Sequence, residues 1–182
     1  MAPQETSKAP AAAPNHVTGS DIDKILRARG WLAGDATPAQ FAWCERAAAL
    51  LGPQVTERRS LGDLLELVFH YDAREILAKV ESHSVLARYA ARDVLRHLAL
   101  LLLDGTTLST DRFKEVINAL KERVGISSRE LFHPIRLALT GRAGEGELDR
   151  VILLLDEAAT ASFIVHVKPA RERVVEFCAA LD

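Results

Sequence analysis

The sequence predicts an all-α fold, a multi-helix bundle or cage, on three observations. Ala and Leu are abundant and both are strong helix formers, while aromatics make up only 5% of the chain. Apolar residues recur at three- and four-residue spacing. Helix start and stop signals follow one another from Gly19 onward.

Ser20 is placed to cap a first helix through DIDKILRARGWL, with Ile22, Ile25, Leu26 and Trp31 as its buried stripe. Thr37 reads as an N-cap, Pro38 fits the first helical position, and Gln40 completes a capping-box spacing. That helix runs to Leu51 and stops at Gly52-Pro53. Ser60 opens a third, with Leu61, Leu64, Leu65 and Val68 on one face. A short helix is expected over 73–80. A longer one runs from near Ser84 to Leu103, apolar nearly all round in its last turns, as a central buried helix would be. Ser109 or Thr110 opens the next, carrying Phe113, Val116, Ile117, Leu120 and Val124, with Gly125 as its left-handed terminator. Ser127 and Glu130 have capping-box spacing ahead of LFHPIRLALTG, and Pro134 makes that helix either begin nearby or bend. Leu148, Val151, Ile152 and Leu155 mark a following helix. Lys168-Pro169 opens the last, with Val174, Val175 and Cys178 inward. The β-branched stretch 159–167 could be a short extended segment, though no partner strand can be identified.

The 182 residues suit one ordinary domain or two small helical subdomains, about 17–104 and 105–182. Residues 1–16, rich in Ala and Pro, read as a disordered tail. A net charge of -2 lacks the basic excess of a dedicated phosphate binder, so any RNA contact must come from a local, salt-sensitive basic patch. Cys44 and Cys178 lie far apart and read as small core residues in a reducing compartment. The longest apolar run, 98–103, is too short to span a bilayer, and the opening residues lack a secretory pattern. The expected location is the cytoplasm, with no membrane partner.

There is no Gly-rich phosphate loop after a strand, no GxSxG and no HExxH. The six histidines form no tight cluster, and Asp63 with Glu66, or Asp149 with Asp156 and Glu157, read as solvated helix faces or helix-end charges. The expectation is therefore no catalytic residue, no cofactor and no metal.

One stretch is far more specific. Residues 126–153, ISSRELFHPIRLALTGRAGEGELDRVIL, contain apolar-x-P-[LI]-R-x-A-L-T-G, carried by Pro134, Ile135, Arg136, Ala138, Leu139, Thr140 and Gly141, followed by a helix opened by Leu148. This resembles the signature of the C-terminal, anticodon-binding region of bacterial glutamyl-tRNA synthetases. VTERRSLGDLLELVFHYD (55–72) is similar to that family's basic segment and following helix, and PARERVVEFCAAL to its closing helix, so the likeness covers roughly 20–182. The family's HIGH-like and KMSKS-like ATP motifs are absent from this sequence. The segment Gly144-Glu145-Gly146 stands where the family commonly has Gly-Pro, His133 where it often has Gln or Met, and 157–167 looks like an insertion.

The resemblance implies RNA contacts by Arg136, His133 and Leu148. An arginine offers a planar donor fork to a base edge or phosphate, a histidine can donate or stack, and a leucine can support an unstacked base. His133 and Arg136, three apart, share a helix face. Each has a plainer alternative. Arg136 could tie carbonyls or a carboxylate at a helix junction, His133 could be a half-buried polar residue at the Pro134 bend, and Leu148 could be core. Arg142, Arg58 and Arg59 are further candidates for phosphate contact. The resemblance thus implies a non-catalytic tRNA-binding module, most plausibly for glutamate tRNA, acting alone or with a separate synthetase catalytic half. Two alternatives stand beside it: a protein-docking module using an apolar patch at Phe163, Ile164 and Val165, or a piece of a full synthetase.

Overall fold

The computed structural model describes residues 16–182, and among them every regular element is helical. All but the last residue of the expected 1–16 tail lies outside the described residues. The order is α1 (Gly19–Ala28), α2 (Pro38–Leu51), a 3-10 turn (Gly52–Gln54), α3 (Arg58–Phe69), α4 (Ala73–Leu77) and α5 (Val80–Leu86). Then come α6 (Ala91–Leu102), α7 (Thr110–Val124), α8 (Ser128–Thr140), α9 (Glu147–Ile152), α10 (Leu155–Thr160) and α11 (Ala170–Leu181).

Local chemistry places several boundaries. Thr37 and Gln40 make the predicted reciprocal cap of α2, with Pro38 in its first turn. Gly125 ends α7 at φ 72 and Gly141 ends α8 at φ 81, both left-handed. Elsewhere a neighbour takes the role. Thr18, not Ser20, caps α1, boxed with Asp21. The box expected between Ser127 and Glu130 does not form, because Ser127 makes no side-chain cap bond and Ser128 is left-handed at φ 54. Pro134 sits inside α8. The carbonyl it leaves without a helical donor belongs to Glu130, which is exposed to water.

The helix expected over 84–103 is two helices. A turn at 87–90 separates them, so that α5 packs on α4 and α8 while α6 packs on α7, α8 and α11. One straight helix could not bury Val85 and Leu98 in those different places. The helix marked by Leu148 through Leu155 is likewise broken, into α9 and α10.

The larger apolar cluster draws from every helix but α4 and α5, including Ile22, Trp43, Leu65, Leu98, Leu120, Leu139, Val151 and Val174. Within it Trp43 Nε1 donates to Leu154 O at 3.0 Å. The Phe163 ring meets those of Trp43 and Phe69 edge-on at 5.2 and 5.1 Å. The 157–167 segment is therefore a clasp on the core. Ser162 O accepts from Gln40 Nε2 and Ile164 N donates to Trp31 O, which leaves Ile164 alone of the three apolar residues fully outward. The stretch 159–167 is not extended strand, and Val175 faces solvent instead of the interior. A second cluster, with Tyr71, Ile76, Val85, Leu95, Leu137 and Phe177, fills the space under α4 and α5.

Arg173 of α11 joins the two clusters. It is fully buried and donates to the carbonyls of Leu67 (2.7 Å), Val68 (2.6 Å), Leu139 (2.8 Å) and Lys168 (2.9 Å), beneath the Tyr71 ring. None of its hydrogen bonds goes to a carboxylate. The C-terminal ends of α3 and α8, negative poles of their peptide dipoles, hold the cation instead. Burial pulls its pKa down to about 10, which leaves it charged at neutral pH.

Candidate nucleic-acid interface

The signature segment forms α8 and the loop that returns over it. Arg136 points into that loop. Its Nε and Nη2 donate to the two carboxylate oxygens of Asp149 at 2.8 Å each, and Nη1 donates to Gly144 O at 2.9 Å. The Phe132 ring lies 4.9 Å from the guanidinium carbon, and the residue is only 7% exposed. With three of its five N–H donors taken and the residue nearly buried, the guanidinium presents no open fork to a nucleotide. Leu148, opening α9, is 2% exposed and belongs to the core. The expectation that Arg136 presents its guanidinium and Leu148 its side chain to a base is thus corrected. The junction alternative holds for the first and core packing for the second.

His133, one turn earlier on α8, is half-buried. Its Nδ1 lies 2.9 Å from Arg88 Nη1. Arginine has no acceptor, so the guanidinium donates and the neutral ring carries its proton on Nε2. That Nε2 has no partner among the described residues. Burial, then the charges of Arg88 and Arg136, push the His133 pKa below its ordinary 6.5, with Glu145 opposing them. At pH 7 the ring is a neutral donor.

Around it Arg129 pairs with Glu145 at 3.3 Å on the surface, and Arg142 is exposed with no side-chain partner among the described residues. The structure therefore brings Arg88 and Arg129 to His133, while Arg142 follows the far end of α8. It does not bring in Arg58 or Arg59. Both lie on the first turn of α3, where Arg58 pairs with Asp21 at 2.6 Å and Arg59 is exposed.

Sequence reasoning missed Arg88 and the partners of Asp149 and Asp156, while Asp63 and Glu66 do lie on a solvated helix face beside Arg29. Asp149 is the counter-ion of Arg136. Asp156 accepts from Leu108 N at 2.7 Å and from Ala170 N at 2.8 Å, clasping two loops, and Glu157 pairs with Arg46 at 3.1 Å. The position of Asp149, directly after the Leu that opens α9, was the one available signal; Arg88 offered none.

Residues 25–164 match the family described as "Anticodon binding domain", more than three quarters of the chain. The chain belongs to the anticodon-binding domain family. This anticodon-binding domain is 28% identical over 123 residues to "Glutamate--tRNA ligase 2" of Syntrophus aciditrophicus, covering 68% of the chain and 25% of that protein. It is 25% identical over 165 residues to "Glutamate--tRNA ligase" of Bacillus pumilus (84% and 32%), and 30% over 141 residues to that of Bacillus cytotoxicus (76% and 28%). The domain thus spans a quarter to a third of the length of these curated relatives. No solved structure matches it. Among the described residues no helix is long and apolar enough to cross a membrane. The family match stops short of α11, although Arg173 on that helix closes the core.

Proposed function

We propose that this domain is a non-catalytic tRNA-binding module of the cytoplasm. It contacts the anticodon arm of glutamate tRNA, alone or beside a synthetase catalytic half. The family match over 25–164 carries the reading, and the names of the similar proteins supply the choice of tRNA. The α8 surface supports it, since Arg88 meets His133 there, Arg129 lies one turn away and the exposed Arg142 follows the end of the helix. His133 Nε2–H, buried and without a partner among the described residues, is the spare donor that a base carbonyl or phosphate would engage. Arg142 takes a phosphate. Arg136 and Leu148 act one step back, pinning the 141–147 loop that shapes this surface, and Arg58 and Arg59 give outlying phosphate contacts.

Filter binding of total tRNA at two salt concentrations, with sequencing of what is retained, tests this. Glutamate tRNA should be enriched, and affinity should fall steeply with salt. No retention at low salt overturns the reading, and equal retention of all tRNAs overturns the glutamate assignment. ATP- and glutamate-dependent charging by the purified chain would overturn its non-catalytic character. The protein-docking alternative drew on an apolar patch at 163–165, and the burial of Phe163 in the aromatic cluster removes that support.

A further inference from the structure

We infer that the corner between α5 and α6 is a second nucleotide-contact surface, where the Tyr89 ring stacks an unpaired RNA base and Arg92 holds its phosphate. This extends the tRNA-binding reading and rests on it. The chain has six Phe, two Trp and two Tyr, and all but Phe41 and Tyr89 are buried or half-buried. Of these two, Tyr89 alone is fully exposed, both ring faces open, in the turn that splits the two helices. The residue before it, Arg88, reaches back to His133, so the corner is continuous with the α8 surface. Arg92, in the first turn of α6, is exposed with no partner among the described residues. It also lines, with His83, a cavity of about 360 Å³ whose other walls include Leu77, Leu86 and Leu181.

Charge chooses the partner. Residues 79–97 carry Lys79, Arg88, Arg92 and Arg96 against Glu81 and Asp93, a local cationic excess on a chain that is net acidic. An aromatic platform between guanidinium groups fits a base with its phosphate, since every base offers a π-face and every nucleotide an anion.

Fluorescence anisotropy with dye-labelled glutamate tRNA at low and moderate salt tests the assignment on wild type, Tyr89→Ala, Tyr89→Phe and Arg92→Gln. Tyr89→Ala should weaken binding on the order of tenfold, the scale of one lost base stack, without changing the salt slope. Tyr89→Phe should bind as wild type does. Arg92→Gln should lower the slope of log affinity against log salt by roughly 0.7. If wild type binds and Tyr89→Ala binds equally well, this inference falls and the tRNA reading stands; if wild type binds nothing, both fall. A loss in Tyr89→Phe as large as in Tyr89→Ala would mean the hydroxyl makes the contact, which overturns stacking.

Discussion

Arg136 shows how one residue type supports two opposite roles. The P-I-R spacing fits a base reader and a junction clamp equally well, and the choice falls to Asp149, thirteen residues on, whose carboxylate fills the fork. Removing the guanidinium leaves a carboxylate unpaired but about a quarter exposed, so part of its hydration returns. Arg136→Ala should therefore cost about 3 kcal/mol in chemical denaturation, the low end for a broken buried pair. Arg136→Lys should fall between, because a point charge cannot reproduce the bidentate fork. A loss well under 1 kcal/mol would mean the pair does not hold the loop. His133 carries a pH signature. Its folded ring binds a proton less readily than an unfolded one, whose value is the ordinary 6.5. Its contribution is thus complete above pH 6.5 and is lost as the pH falls below that, because unfolded chains take up the proton first. Thermal melts should show a larger drop from pH 7.5 to 5.5 for wild type than for His133→Gln, and identical drops would refute the lowered pKa.

Apart from the start of α1, where Thr18 and not Ser20 is the cap, the helix ends set by local bonding were legible in advance, and those ended by packing were not. The Thr37–Gln40 box and the Gly125 stop need only neighbouring residues. The break at 87–90 has neither Gly nor Pro to announce it, and it lets α5 reach α4 while α6 reaches α7 and α11, both helices also resting on α8. The two glycines that end α7 and α8 separate backbone strain from crowding. A Cβ on Gly125 would meet nothing within 4 Å, whereas one on Gly141 would lie 3.0 Å from Ile76 Cγ1. Gly125→Ala should cost about 1 kcal/mol, the left-handed penalty for a residue with a Cβ. Gly141→Ala should cost clearly more, because Ile76 in the second cluster must move. Equal losses in urea unfolding would show that Ile76 yields freely.

At the scale of the whole molecule, Arg173 is the tie between the two apolar clusters. A buried cation held by four carbonyls from three places leaves unsatisfied acceptors if it goes, so Arg173→Met should cost about 3–5 kcal/mol. A folded, near-wild-type melting temperature for Arg173→Met would refute this role. The sequence by itself determined the all-α class, the family likeness and the capped helix ends, because propensity, periodicity and capping are carried by residues close along the chain. Tertiary structure alone decided which polar residues face solvent. Whether Arg136, Asp149, Asp156 or Arg173 meets water or another residue depends on partners far away in sequence, and local spacing holds no record of them.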